Sequence, residues 1–344
     1  MVYWFTRIAT WLLARTPRAV RVPVASALTV AVYYAWASKR RVTIANMAQT
    51  LGTTPSDPRA RRLARESWHN YGRYVADFLY ASGRGSEAAA EELARLRDTT
   101  PPPGCFALID EARTRGKGVI IASAHFGNWD VAGMLLARRC PLHVVVERFA
   151  DERMDQLVQS QRKALGMEVL WMEKSPRQMV RVLQQNGVLA IVADRPLPEG
   201  EGVPVTFFGR RCYVPGGVAQ LAQLTGAAII PGFAYYDDEG SLAFYARVEP
   251  MILPQTGGDR KAETQRLTQC IYDAFERVLR DHPDQWYMFR PFWPASSSAL
   301  AIDTGIAAGA VVKLDAAASR TPPDESALPS TVISRPDAQG ELDG

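Results

Sequence analysis

The chain has 344 residues, 47% of them hydrophobic and 22% charged, with a net charge of +4. That length gives ample core for one large domain or two small ones, and the composition excludes a collagen-like or wholly disordered protein. Cys105, Cys140, Cys212 and Cys270 are scattered, with no CxxC pair and no histidine cluster beside them, so neither a zinc site nor a disulfide scaffold is expected.

The modest net charge hides an asymmetry. Through residue 75 the basic side chains are Arg7, Arg15, Arg18, Arg21, Lys39, Arg40, Arg41, Arg59, Arg61, Arg62, Arg65 and Arg73, against only Asp57 and Glu66. Such an end favours an anionic partner, either lipid headgroups or nucleic acid. Residues 1–15 read as a helix with Trp4, Ile8, Trp11, Leu12 and Arg15 on one side, and tryptophan prefers the membrane–water boundary. Residues 22–38 carry no charge and stand between Arg21 and Lys39-Arg40-Arg41. They sit at the short limit of about 17 residues for a spanning helix and contain Pro23. One transmembrane helix, an in-plane membrane helix and a core helix all suit this stretch, and no signal-peptide layout is present. Residues 40–52 continue as helix. Residues 59–82 read as a long helix with Trp68, Tyr71, Val75, Phe78 and Leu79 on an apolar stripe, and residues 87–97 as a charged helix. Thr100-Pro101-Pro102-Pro103-Gly104 is a breaker. It divides a helical part, residues 1–100, from an α/β part, residues 101–294.

In the α/β part, helices are expected at 105–115, 154–165, 176–185, 215–225 and 260–281, and strands at 118–123, 142–146, 168–171, 188–193, 228–236 and 242–248. This rhythm predicts an α/β fold: a central mixed, mostly parallel sheet flanked by helices, preceded by a helical membrane-docking part. From residue 295 to 344 Ala, Ser, Pro, Asp and Gly dominate and aromatics vanish, so this tail reads as disordered.

The stretch that carries chemistry is Ala124-His125-Phe126-Gly127-Asn128-Trp129-Asp130, between a strand and a helix. Residues five apart on one helix point about 140° away from each other. His125 and Asp130 therefore meet only if His125 lies on the turn, with Gly127 letting the chain bend. A carboxylate on one imidazole nitrogen would fix the tautomer and let the other nitrogen deprotonate a hydroxyl. The same spacing also suits a histidine satisfied by a backbone carbonyl and an aspartate at a helix N-terminus. His69, His143 and His282 are rival bases and read as structural. The chain lacks a G-x-S-x-G elbow, a Walker loop and a complete G-x-G-x-x-G, which argues against an elbow-type serine hydrolase and a nucleotide enzyme.

Ala-His-Phe-Gly-Asn-Trp-Asp resembles the His-x4-Asp/Glu signature of glycerolipid-type acyltransferases. Its form resembles the bacterial lipid A lauroyl/myristoyl acyltransferase family, and within it the phosphatidylinositol mannoside acyltransferase branch. Val146-Glu147-Arg148, Ala193-Asp194-Arg195, Phe207-Phe208-Gly209, Val214-Pro215-Gly216-Gly217 and His282-Pro283-Asp284-Gln285-Trp286-Tyr287 agree in order, so the likeness runs from about residue 41 to residue 294. It implies a membrane-associated O-acyltransferase that moves a fatty acyl chain from a thioester to a hydroxyl of a glycolipid or phospholipid, with a lipid A precursor as the alternative acceptor. A non-catalytic membrane-binding protein of the same fold is the rival from another class.

On that likeness His125 is the general base, oriented by Asp130 and by Glu199 or Glu201 on the loop after a strand. Asn128, Glu147, Arg148, Asp194, Arg195, Arg210, Arg211 and Gly216 are expected to bind substrate. Arginine suits this because its planar fork matches phosphate oxygens. Asp194 and Arg195 have the alternative of pairing with each other, and Gly216 that of allowing close packing instead of presenting amides to an anion. Phe207 and Phe208 either line an acyl tunnel or pack in the core. No cofactor and no metal are implied. The expected partners are an anionic membrane surface, a lipid acceptor and acyl-CoA or acyl carrier protein, with no nucleic acid. The expected place is the cytoplasmic face of the cell membrane.

Overall fold

The computed structural model describes residues 2–93, 96–100, 104–173, 175–236 and 244–294; the tail read as disordered lies outside these. Three helices open the chain: α1 (Val2–Leu13), α2 (Arg18–Ala35) and α3 (Ala37–Thr50). Then comes α4 (Pro58–Arg84), the 27-residue helix anticipated from its aromatic stripe. Its start follows from local chemistry. Asp57 accepts the Arg59 amide N–H as N-cap, and Pro58, with no N–H to lose, takes the first turn. α5 (Ser86–Leu93) is shorter than expected, because residues 96–98 form strand β1 (Leu96–Asp98) instead of extending the charged helix.

The α/β part follows the predicted rhythm: α6 (Cys105–Thr114), β2 (Val119–Ser123), α7 (Trp129–Ala137), β3 (Leu142–Val146), α8 (Glu152–Ala164), β4 (Met167–Trp171), α9 (Pro176–Gln184) and β5 (Val188–Val192). A hairpin not anticipated from the sequence comes next, β6 (Val203–Phe207) and β7 (Arg210–Val214). Its two-residue turn has positive φ at both Phe208 (48°) and Gly209 (72°), the backbone of a tight hairpin, and the bulky Phe208 masks that signal in the sequence. Then come α10 (Gly217–Thr225), β8 (Ala228–Tyr236), β9 (Phe244–Val248), α11 (Arg260–Asp281) and a single 3-10 turn, Pro283–Gln285.

The main sheet has the order β1-β9-β8-β2-β5-β3-β4 and is parallel except between β8 and β9. Strand β2 is central and buried on both faces, which explains its unbroken apolar run. Alternate residues feed two cores. Ile120, Ala122 and Ala124 pack with α9, α10 and α11, while Val119 and Ile121 pack with α4, α5, α6 and α7. Through Pro294 the described chain is one compact unit. The break expected near residue 100 is thus a change of architecture inside a shared core, since Tyr74, Phe78 and Leu79 of α4 lie in the same cluster as Ile121 of β2.

α2 presents Arg18 and Arg21 inward, where Asp77 of α4 takes Arg18 at 3.0 Å and Arg21 at 3.8 Å. Both arginines and the aspartate are buried, so this charged end of α2 is committed to the protein. α2 and α3 meet at Trp36 with a bend of 100°, and among the described residues no single helix is long and apolar enough to cross a membrane.

Candidate active site

Register brings the site together. Ser123 of β2 lies opposite Val192 of β5, so the residues two further along each strand, His125 and Asp194, leave the sheet side by side. His125 Nδ1 is 2.7 Å from Asp194 Oδ1, and the His125 amide N–H donates to Asp194 Oδ2 at 2.9 Å. Trp286 Nε1 donates to the same Oδ2 at 2.9 Å. The pair stands at the carboxyl ends of neighbouring parallel strands, where open α/β sheets place their sites. The imidazole side chain is 38% exposed and the Asp194 carboxylate 1%, so a substrate can reach the ring while the acid stays dry. Burial alone would push the Asp194 carboxyl up. The facing imidazole and the N–H donors outweigh it and hold the group below the usual carboxylate range.

The turn is built for this placement. Gly127 has φ +57°, and a Cβ there would fall 2.0 Å from the Ala234 carbonyl oxygen of β8. Its amide donates to Gln285 O, the Asn128 amide donates to Ala234 O, and the Tyr287 amide donates to His125 O at 2.8 Å. The Trp129 ring meets the His125 ring edge-on at 5.4 Å and stacks on Tyr74 at 4.1 Å.

Asp130 does not orient His125. Its carboxylate is buried on the far side of α7, where Arg162 Nε donates to it at 2.8 Å and Tyr74 Oη at 2.8 Å. The turn ends at Asn128, so Asp130 already lies on the helix, and α7 directs it toward α8 and α4. Glu199 and Glu201 sit exposed on the loop after β5, and among the described residues neither bonds to the imidazole. The carboxylate that meets the imidazole is Asp194, expected from the family likeness to bind substrate. Arg195 does not pair with Asp194. It forms an ion pair with Glu147, which leaves the end of β3 beside β5.

Other expected positions are also placed. Asn128 is fully buried and committed at both ends: Oδ1 caps α7 through the Val131 amide, and Nδ2 donates to Tyr236 Oη. It has no free edge for a substrate. A Cβ on Gly216 would fall 2.8 Å from Val203 Cγ2, so a side chain there would have to push the Val203 side chain aside. Arg148 is exposed, with its guanidinium 5.6 Å from the Trp171 ring centre. Arg210 donates to Pro294 O, and Arg211 lies 5.4 Å from the Tyr213 ring. Phe207 and Phe208 are core residues, packed with Trp293 and, for Phe207, with Trp286. Of the rival bases, His143 pairs with Glu168 at 3.0 Å and the His282 ring lies on Tyr235 at 4.4 Å.

A groove of about 1050 Å³ lies on the face of the sheet covered by α9 and α10; Ala193 and Arg195, the chain neighbours of Asp194, line it, but His125 and Asp194 themselves do not. Glu147, Ala193 and Arg195 form its wall next to Asp194, and Met179, Val180, Ile191, Val203, Val218 and Leu221 make most of the rest apolar. Arg177, Arg260 and Lys261 also line it. Its volume is at the upper end of the ~300–1,000 Å³ typical of small-molecule sites.

A buried carboxylate bonded to an accessible imidazole is the equipment of an enzyme that activates a hydroxyl or water. The model of the bacterial lipid A biosynthesis acyltransferase family matches residues 1–294, and the chain belongs to that family. It is an acyltransferase. Among similar proteins, the phosphatidylinositol mannoside acyltransferase of Mycobacterium tuberculosis (strain CDC 1551 / Oshkosh) is 33% identical over 261 residues, covering 74% of this chain and 77% of that one. The protein of the same description from Mycolicibacterium smegmatis is 31% identical over 258 residues, covering 74% and 79%. The crystal structure of the 1-acyl-sn-glycerophosphate acyltransferase of Thermotoga maritima aligns with 76% of this chain and 98% of its own at 10% identity, with a TM-score of 0.31, a likeness too distant to add to the fold described above.

Proposed function

We propose that this acyltransferase moves a fatty acyl chain from a thioester to a hydroxyl of a glycosylated phosphatidylinositol-like lipid, with His125 as general base and Asp194 as its orienting acid. The observation that carries this reading is the bond between His125 Nδ1 and buried Asp194, which leaves Nε2 as the nitrogen facing out. Nε2 takes the acceptor hydroxyl's proton as the oxygen attacks the thioester carbonyl. The new C–O bond forms, a tetrahedral oxyanion collapses, the C–S bond breaks, and the imidazolium returns its proton to the departing thiolate. Asp194 stabilises the imidazolium and remains ionised. The apolar groove suits the acyl chain of the donor, and the cations Arg177, Arg260 and Lys261 suit phosphates of an acyl-CoA or acyl-carrier-protein donor. Arg195, paired with Glu147 on the groove wall, and exposed Arg148 suit the acceptor's phosphate. Holding both lipidic reactants beside one base supplies much of the acceleration.

Membrane association is part of the same reading. Trp4, Phe5, Ile8 and Trp11 of α1 are each more than half exposed, as are Val20, Val24 and Leu28 of α2, and Arg7 and Arg15 stand among the aromatics. Apolar and aromatic side chains interleaved with arginine suit an anionic bilayer surface, with α1 and α2 lying in its plane. The test is mass spectrometry of lipids after the purified protein is incubated with isotope-labelled acyl-CoA and, in separate arms, phosphatidylinositol mannoside, a lipid A precursor or no acceptor. Label in the mannoside supports the reading. Label only in the lipid A precursor moves the acceptor, and free labelled fatty acid without an acceptor would make the protein a thioesterase.

A further inference from the structure

We propose that Trp286 is a positioning residue for the His125–Asp194 pair, its indole N–H locking the carboxylate in the orientation that holds the imidazole. This rests on the reading of His125 as base. The two Asp194 oxygens are divided between tasks: Oδ1 faces the ring nitrogen, while Oδ2 accepts the His125 amide and the Trp286 indole. With both donors on Oδ2, rotation of the carboxylate about its Cβ–Cγ bond is blocked, so Oδ1 stays on the ring. The indole N–H is wholly buried among apolar rings and needs an acceptor, and Asp194 supplies it.

Trp286 is itself immobile. Its ring packs against Phe207 at 5.8 Å, Phe292 at 5.2 Å and Trp293 at 6.0 Å, and Ser67 Oγ of α4 donates to its carbonyl at 2.8 Å. Its two chain neighbours grip the turn on both sides of Phe126, just after the histidine, Gln285 through the Gly127 amide and Tyr287 through the His125 carbonyl. The Gln285 side chain also exchanges hydrogen bonds with the Tyr236 backbone. One short segment after α11 therefore fixes the base's backbone and, through one indole, its acid.

The charged and titratable groups facing Asp194 are the His125 ring, Arg195 next along the chain and the Tyr272 hydroxyl, whose proton goes to Ala193 O. Removing the Trp286 donor leaves the carboxylate less stabilised and raises its pKa.

The test compares Trp286→Phe with Trp293→Phe in the full chain. Trp293 belongs to the same aromatic cluster, but its indole donates to Phe207 O and not to Asp194. Both variants lose core volume and lower the denaturation midpoint. Trp286→Phe is expected to lower kcat by about tenfold to a hundredfold, the worth of one hydrogen bond to a charged group. It should also shift the acid limb of the kcat/KM–pH profile and the 15N resonance of His125 Nδ1 in histidine-labelled protein, while Trp293→Phe moves neither. Coincidence of the two variants in both profile and resonance would overturn the proposal. If His125→Ala retains activity, the base reading fails, and the resonance still decides the positioning claim because it reports the pair without turnover.

Discussion

Two aspartates near the site differ sharply in what their loss should do. Asp194 bonds the imidazole, whereas Asp130 bonds Arg162 and Tyr74. In Asp194→Asn the amide fills the same space, but it presents an N–H or a neutral oxygen to Nδ1 and can no longer support an imidazolium. General-base catalysis and its orienting acid are worth about 10²–10⁴ in rate, so kcat should fall by roughly that factor with the fold retained. Asp130→Ala acts otherwise. The Asp130 and Arg162 side chains are 3% and 15% exposed, so truncation strands a buried guanidinium, at a cost of about 3–5 kcal/mol of stability. Chemical denaturation and steady-state acyl transfer, both run well below the unfolding midpoint, separate the two. The folded fraction of Asp130→Ala should keep kcat within a fewfold of the parent. A drop in Asp130→Ala as deep as that in Asp194→Asn, with both proteins folded, would refute the assignment of the acid.

Other outcomes follow from the same geometry. The Asp194 carboxyl is depressed in the folded state, so its contribution to stability is present above the ordinary aspartate range, near 3.9, and is lost as pH falls through the folded value. The stability gap between the parent and Asp194→Asn should therefore narrow in denaturation curves below about pH 4. Gly127→Ala forces a Cβ to within 2.0 Å of the Ala234 oxygen at φ +57°, and should cost about 4 kcal/mol or more, read as lost soluble yield or a collapsed melting transition. The triple change of Trp4, Ile8 and Trp11 to Ser alters exposed positions, so melting should hold while partitioning onto anionic vesicles falls by about a hundredfold or more in a flotation assay. Leu221→Trp narrows the apolar groove and should raise KM for long-chain donors far more than for short-chain ones in a chain-length series.

The strand–turn–helix around His125 is readable because its signals are local: an apolar β-branched run, then glycine, then a capped apolar helix. The acid is different. Asp194 becomes the partner of His125 through the parallel register of β2 and β5, 69 residues apart, and no local pattern announces which strands will be neighbours. Asp130 is the nearer carboxylate in sequence, yet α7 turns it toward Arg162. Trp286 sits in a recognisable block, but its role exists only because the segment after α11 folds back over the turn. The β6–β7 hairpin escapes notice because a phenylalanine occupies a left-handed turn position usually held by glycine or asparagine, and β1 because three residues give no period to read. Long elements with many periods, such as α4, β8 and α11, match their expected spans closely.

Transfer of labelled acyl groups from acyl-CoA to purified phosphatidylinositol mannoside by His125→Ala, with near-parental circular dichroism as the check on folding, reaches the core of the account. A fall of about 10²–10⁴ in product, with thioester hydrolysis no higher than background, is the expected result. Acylated lipid forming at close to the parental rate would mean that this imidazole removes no proton.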